Sequence, residues 1–169
     1  GKYQEAISYY DKVLAIDPND VNALGNKCYT VESLGKYQEA ITCYDKGLAF
    51  YPNDVHLLGS KDTVLYKLGQ YQEAITYYDK ALAINSSDPI TLNNKAVSLD
   101  NLGRHQEAIT YYDKSLAINS SDPNTLSNKG LALNSLGQYQ EAITYYDKSL
   151  AINSSDPNTL SYKGLALNN

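Results

Sequence analysis

The chain has 169 residues, with 14 Lys and Arg against 19 Asp and Glu, and a formal net charge of −5. A phosphate-binding surface needs a surplus of cations, so this balance argues against nucleic acid or an anionic membrane as a partner. No apolar stretch is long enough to cross a bilayer, and no signal-peptide pattern stands at the start. These features predict a cytoplasmic protein without membrane insertion.

One sequence motif recurs along the whole chain. It opens at Gly1 with GKYQEAISYYDKVLAI, and near-copies begin at Gly35, Gly69, Gly103 and Gly137. Residues 106–127 recur without change as residues 140–161. Each copy begins 34 residues after the previous one. A fixed period of this size is typical of a solenoid, in which each unit contacts only its neighbours.

Each unit predicts two helices joined by short connections. Apolar residues at the spacing of one helical face mark the second helix, at Tyr71, Ala74, Ile75, Tyr78 and Leu82. The first helix has a matching set at Leu92, Ala96, Leu99 and Leu102. Asp88 is placed to cap that helix, Pro89 fits its first turn, and Gly103 can take the left-handed conformation that ends it.

In chain order, the pattern predicts a single array of helical repeats. Residues 1–20 form the second helix of an incomplete repeat. Four full repeats follow, over residues 21–54, 55–88, 89–122 and 123–156. Residues 157–169 form the first helix of a further incomplete repeat.

The unit resembles the tetratricopeptide repeat, which has the same period. The match covers the chain and runs, with equivalents in the other copies, through Leu92, Ala96, Leu99, Tyr71, Ala74, Tyr78 and Ala81. Leu replaces the family's usual Trp, and Ser replaces its late Pro in the last three linkers. The resemblance, which is to prokaryotic scaffold arrays, implies an all-α, right-handed superhelical solenoid of antiparallel helix pairs with about ten helices.

A second departure from the family is a lysine in place of leucine, at Lys27, Lys61, Lys95, Lys129 and Lys163. One interpretation is a row of cations that grips an acidic ligand. The other, which we favour, is that each stem covers apolar surface while the ammonium reaches a recurrent acid such as Asp79, Asp113 or Glu107. The cysteines Cys28 and Cys43 are interpreted as partly buried free thiols in a reducing compartment.

Signals for catalysis are missing from the sequence, so we predict that the protein is not an enzyme and holds no cofactor or metal. We call the position of a residue within the repeat its phase. His56 and His105 have different phases, and neither has a nucleophile or ligand cluster beside it. The glycines are single, and no phosphate-binding loop occurs. The Asn-Ser-Ser triplets at Asn85, Asn119 and Asn153 match the glycosylation pattern, but linker residues that bond their own backbone are the favoured interpretation.

The resemblance places the first helix of each unit on a concave, peptide-binding face. The residues expected on this face are Asn22, Asn26, Tyr29, Ser60, Tyr66, Asn93, Asn94, Asn124, Ser127, Asn128 and Asn158. An amide offers both a donor and an acceptor, so an Asn-rich face suits the backbone of an extended peptide. Asn26, Asn94 and Asn128 share one phase and resemble an asparagine ladder; alternatively, they are ordinary polar surface. We therefore predict a scaffold that binds a protein or peptide of unidentified sequence.

The two ends suggest an alternative function. Each end helix leaves an apolar stripe without its partner helix: Ala6, Ile7, Tyr10 and Leu14 at the start, and Leu160, Leu165 and Leu167 at the end. The two stripes would pair inside a full repeat, so one molecule's end can complete the next molecule's start. The alternative prediction is a structural repeat protein that stacks head-to-tail; a piece cut from a longer array gives the same pattern.

Overall fold

The computed structural model describes all residues from Gly1 to Asn169 and contains ten α-helices and no strand. The helices are α1 (Lys2–Ile16), α2 (Val21–Ser33), α3 (Tyr37–Phe50), α4 (Val55–Lys67), α5 (Tyr71–Ile84), α6 (Pro89–Asn101), α7 (His105–Ile118), α8 (Pro123–Ser135), α9 (Tyr139–Ile152) and α10 (Pro157–Leu167). The prediction of an all-α protein with about ten helices is confirmed.

Local chemistry explains where the helices begin and end. Every even-numbered helix follows an aspartate that accepts a hydrogen bond from the backbone N–H three residues later, at Asp20, Asp54, Asp88, Asp122 and Asp156. This bond satisfies one of the free donors at the helix start. After α6, Gly103 has φ of 74° and donates its N–H to the carbonyl oxygen of Asp100. A residue with a Cβ would be strained in that left-handed conformation.

The helices are arranged in two compact units. Unit 1 comprises residues Gly1–Ile84, with helices α1–α5, and unit 2 comprises residues Asn85–Asn169, with helices α6–α10. Within each unit, every helix packs against the next helix along the chain. Because the connections are short, consecutive helices run antiparallel.

Small residues and tyrosines form the core where paired helices meet. The repeated alanine is fully buried at Ala40, Ala74, Ala108 and Ala142, and the repeated tyrosine is buried at Tyr44, Tyr78, Tyr112 and Tyr146. A Cβ added to Gly130 on α8 would lie 2.6 Å from the ring of Tyr146 on α9. The paired helices are thus so close at this position that a side chain would push them apart.

The interpretation of the cysteines as free thiols is wrong, because Cys28 and Cys43 form a disulfide. Cys28 lies on α2 and Cys43 on α3, and their Cα atoms are 5.4 Å apart, which is within bridging distance. The sequence separation of 15 residues brings the two positions face to face across the antiparallel helix pair. The bridge removes the basis for inferring a reducing compartment, and the cytoplasmic location stays a prediction.

Candidate functional site

In unit 1, a surface cavity of about 310 Å³ lies between α2 and α4. We call it the unit 1 groove, and it is lined by Val21, Asn22, Gly25, Asn26, Tyr29, Asp54, His56, Leu57 and Ser60. Four residues predicted from the sequence, namely Asn22, Asn26, Tyr29 and Ser60, are therefore neighbours around one cavity.

The chemistry of the unit 1 groove is mainly neutral and polar. Asn22 and Asn26 are exposed, and Tyr29 presents 62% of its surface to solvent. The carboxylate of Asp54 already accepts hydrogen bonds from the backbone N–H groups of His56 and Leu57. The groove therefore offers amides, a phenol and a hydroxyl, which suit a polar backbone better than a charged group.

In unit 2, a second cavity of about 420 Å³ involves α6, α7 and the start of α8. We call it the unit 2 groove, and it is lined by Pro89, Ile90, Asn93, Asn94, Ser115, Asn119, Asp122 and Asn124. Three of the predicted asparagines, Asn93, Asn94 and Asn124, meet here. Ile90 is 69% exposed and adds an apolar contact that the unit 1 groove lacks at this position.

Hydrogen bonds within unit 2 orient its asparagines. The amide oxygen of Asn93 accepts from Asn128 at 3.3 Å and from the Thr125 hydroxyl at 3.2 Å, and the amide nitrogen of Asn93 donates to Asn94 at 3.3 Å. These bonds use the oxygen of Asn94 and the nitrogen of Asn128. The nitrogen of Asn94 and the oxygen of Asn128 remain as a donor and an acceptor for a ligand.

The remaining predicted face residues have different surroundings. Tyr66 is half-buried and contacts Tyr71 in a tilted arrangement with ring centroids 5.4 Å apart, while Asn158 is exposed in the first turn of α10. Ser127 does not belong to the face, because it is buried and its hydroxyl accepts a hydrogen bond from Thr159 at 2.7 Å. The contact that α10 makes with α8 at this residue explains the departure from the sequence prediction.

Among the groove residues that were not predicted are His56 and Ile90. Both occupy the same phase of the repeat as predicted residues, in the series Asn22, His56, Ile90, Asn124 and Asn158. That shared phase could have indicated both residues, although neither has the amide or hydroxyl side chain that suits a peptide backbone.

The recurrent lysines are bound within the protein. Lys61 is buried and donates to the carboxylate of Asp45 on α3 and, at 2.5 Å, to the hydroxyl of Tyr77 on α5. Lys129 repeats the arrangement with Asp113 at 2.5 Å and Tyr145 at 2.7 Å. Burial alone would lower the pKa of Lys61, but the hydrogen bonds to Asp45 and Tyr77 outweigh it and raise the pKa. The expectation of intramolecular pairing is confirmed, and the ammonium groups of the buried Lys61 and Lys129 are held by these partners.

Lys67 on α4 also has a partner. Its ammonium donates to the buried carboxylate of Glu32 at 2.8 Å, and Tyr44 donates to the other oxygen of Glu32 at 3.1 Å. Burial is the main reason why the pKa of Tyr44 is raised. On this side of unit 1, the charges of Lys67 and Glu32 are therefore paired with each other.

The end helices differ from their internal equivalents in exposure. On α1, Ala6 and Tyr10 are half-buried and Val13 is exposed, whereas their equivalents in later repeats are buried. Ile7 packs against the unit 1 core and Leu14 is half-buried. We call the uncovered set on this helix the α1 face; it consists of Ala6, Tyr9, Tyr10 and Val13.

On α10, Leu160 is 49% exposed and Leu167 is 63% exposed, whereas Leu126 and Leu133 at the same phases of α8 are 4% and 2% exposed. Leu165 is also exposed, but it shares its phase with Tyr29 rather than with these leucines. We call Leu160, Lys163, Gly164 and Leu167 the α10 face.

Comparison with known families settles the classification. Tetratricopeptide repeat models match residues 1–61 and 87–152. The chain belongs to the tetratricopeptide repeat family. A third model, for the anaphase-promoting complex, cyclosome, subunit 3, matches residues 33–115. No match was found among curated proteins.

Solved structures with similar folds include other tetratricopeptide repeat proteins. A crystal structure of MamA is 26% identical, with a TM-score of 0.85, and the alignment covers 91% of this chain and 90% of that chain. YrrB, described as a TPR protein with an unusual peptide-binding site, is 23% identical over 96% of this chain and 84% of its own, with a TM-score of 0.85. A tetratricopeptide repeat protein from Parabacteroides merdae is 18% identical over 98% and 66%, with a TM-score of 0.90. The last two establish likeness of fold.

None of the ten helices has both the length and the apolar character that a bilayer crossing requires.

Proposed function

We propose that this tetratricopeptide repeat protein is an interaction scaffold that binds an extended segment of a partner protein along its asparagine-bearing helices. The observation that carries the proposal is the unit 1 groove, where Asn22, Asn26, Tyr29 and Ser60 surround one open cavity. Amides alternate donors and acceptors in the same way as the backbone of an extended peptide does. The description of YrrB as having a peptide-binding site supports the class of ligand.

The unit 2 groove contributes a second contact in this proposal. The free nitrogen of Asn94 faces a peptide carbonyl. Asn128 lies beside this groove, where it is hydrogen-bonded to Asn93, and its free oxygen faces a peptide N–H. Ile90 adds apolar surface, so the segment bound here carries an apolar side chain. Since Lys61 and Lys129 are buried and paired internally, a strongly acidic segment gains no counter-charge from these two lysines.

The experiment uses an immobilised array of short unrelated peptides, probed with the wild-type chain and with two variants. Asn26→Ala tests the unit 1 groove, and Asn94→Ala with Asn128→Ala tests the unit 2 groove. The matched control is Asn53→Ala, which alters an exposed linker asparagine outside both grooves. Loss of one interaction of this kind is expected to weaken binding by roughly fivefold to tenfold. Equal signals for wild type and both groove variants would refute the proposal.

A second candidate function is self-association through the two ends, favoured by the exposure of Leu160 and Leu167. An exposed apolar face of this kind is typical of a protein contact. The α1 face and the α10 face are different surfaces, so their contact is heterologous and leaves further faces free to continue the assembly. Sedimentation over a concentration series tests it: the wild type should form larger species as concentration rises, and Leu167→Glu should not.

We also propose that the protein has no catalytic activity of its own. His105 pairs with Asp100 at 2.5 Å, and His56 is exposed at the edge of the unit 1 groove. Neither histidine is hydrogen-bonded to a serine or to a thiol in the structure, and the sulfurs of both cysteines are in the disulfide. Reproducible turnover in a screen of hydrolase and transferase substrates would overturn this part of the proposal.

A further inference from the structure

We propose that the Cys28–Cys43 disulfide controls the unit 1 groove, so that its reduction to two thiols weakens peptide binding there. This inference rests on the proposed peptide binding and adds a regulation of the same site. The reductant is a small thiol of the glutathione type. Unit 2 contains no cysteine, so peptide binding in its groove does not respond to the reductant.

Leu57 connects the disulfide-bonded helices to the groove. It lies on α4, lines the unit 1 groove and is 2% exposed. A Cβ built at Gly47 on α3 would lie 2.8 Å from Leu57 Cδ1, and a Cβ built at Gly25 on α2 would lie 3.7 Å from Leu57 Cδ2. The Leu57 side chain therefore occupies a slot that α2 and α3 form between two glycines.

The disulfide lies one helical turn away from this slot. Gly25 precedes Cys28 by three residues on α2, and Gly47 follows Cys43 by four residues on α3. Residues at these spacings lie on the same face of a helix. Because α2 and α3 run antiparallel, both steps lead in the same direction along the helix pair. The bridge thus fixes the spacing of α2 and α3 beside the slot that holds Leu57.

The disulfide stands where later repeats have a hydrogen bond between a lysine and a tyrosine. Cys43 has the phase of Tyr145, whose hydroxyl accepts a hydrogen bond from Lys129 on the preceding helix at 2.7 Å. The equivalent lysine, Lys27 on α2, pairs with Asp11 on α1 at 2.6 Å. Since Cys43 replaces the tyrosine, reduction leaves α2 and α3 without the lysine–tyrosine bond that joins such helices elsewhere.

The two sulfurs differ in their access to a reductant. Cys28 is fully buried, whereas Cys43 is half-buried. A glutathione thiolate attacks the sulfur of Cys43, the bridge breaks, and Cys28 leaves as a thiolate that takes up a proton. A second glutathione thiolate attacks the glutathione sulfur of this mixed disulfide and releases the Cys43 thiolate, which also takes up a proton. The bridge gains two electrons and two protons, and two glutathiones become glutathione disulfide.

The test compares the oxidised wild-type chain with the same chain in reduced glutathione, on an immobilised array of short unrelated peptides. The peptides are sorted into those whose binding is weakened by Asn26→Ala and those whose binding is weakened by Asn94→Ala with Asn128→Ala. The double variant Cys28→Ala with Cys43→Ala is the control, because it lacks the bridge in both buffers. Far-ultraviolet circular dichroism verifies that each form keeps its helices.

Reduction should weaken binding of the Asn26-dependent peptides by roughly tenfold and leave the other set unchanged. The double cysteine variant should bind like the reduced wild type in both buffers. Equal binding of the Asn26-dependent peptides by oxidised and reduced wild type overturns the inference and leaves the proposed function standing. A uniform loss over both sets indicates general unfolding and also overturns the inference. If no peptide depends on Asn26, peptide binding in the unit 1 groove is refuted, and its regulation with it.

Discussion

Replacing Asp62 with alanine is expected to stabilise the protein at neutral pH and to flatten its pH dependence. Asp62 lies on α4 with 2% of its surface exposed, at the phase where the other repeats have Cys28, Ala96, Gly130 and Gly164. The hydroxyl of the neighbouring Thr63 donates to its carboxyl at 3.2 Å. Burial raises the pKa of Asp62 from 3.8 to about 8.

The carboxyl lacks a counter-ion because the lysines of α2 and α4 are paired elsewhere, as Lys27–Asp11, Lys61–Asp45 and Lys67–Glu32. Between pH 4 and pH 8 the folded state therefore keeps a proton on Asp62 that the unfolded state releases. Stability must fall as pH rises through this range, because the unfolded state binds fewer protons. Each pH unit above the unfolded-state pKa lowers the free energy of unfolding by about 1.36 kcal/mol. The buried Asp62 carboxyl therefore lowers the free energy of unfolding by about 4 kcal/mol at pH 7 and by about 1.5 kcal/mol at pH 5.

The assay is urea unfolding, followed by circular dichroism, at several pH values between 5 and 8. The free energy of unfolding of Asp62→Ala should exceed that of the wild type by about 3 kcal/mol at pH 7 and by about 1 kcal/mol at pH 5. These values are reduced to allow for the lost hydrogen bond to Thr63. The Thr63 hydroxyl keeps a second acceptor, the carbonyl oxygen of Gly59. Asn53→Ala, at an exposed linker side chain that does not titrate, is the control and should leave the pH profile unchanged. Parallel pH profiles for wild type and Asp62→Ala would refute the argument.

Three further predictions concern stability. Replacing both cysteines with alanine should cost about 3 kcal/mol, because the bridge closes a loop of this length, and the same loss should appear in wild type under a reducing agent. Tyr44→Phe should lower the free energy of unfolding by about 1–2 kcal/mol because Tyr44 donates to buried Glu32. Tyr146→Phe should be close to neutral because the Tyr146 hydroxyl is buried without a partner. Thermal unfolding in which Tyr146→Phe is the less stable variant would contradict this. Gly103→Ala should cost about 1–2 kcal/mol through its φ of 74°, measured by chemical unfolding, and a neutral result would contradict the assigned strain.

Much of the fold was predictable because helix signals are local. Asp88 before α6, Pro89 in its first turn and Gly103 after it act on backbone groups within a few residues. The fixed period of the repeat then places every later helix without further information. The intramolecular pairing of the lysines was also predictable, since a buried cation in each repeat requires a recurrent carboxylate within reach.

The candidate site was only partly predictable. The phase of the repeat brought Asn22, Asn26 and Ser60 to one cavity, as the family resemblance implied. Ser127 has the same phase as Asn93 and was expected on this face, although it is buried against Thr159. A helical phase defines which side of a helix a residue occupies, but the neighbouring helix decides whether that side is covered.

Residue order alone was enough to establish the repeat, the helices with their caps and the polar character of the asparagine-bearing face. The packed helices were needed to show that Cys28 and Cys43 are bonded, that Asp62 has no counter-ion and that the asparagines of unit 2 bond one another. The two groups differ because helix formation depends on side chains within one turn. Distances between side chains on different helices depend on how closely those helices pack.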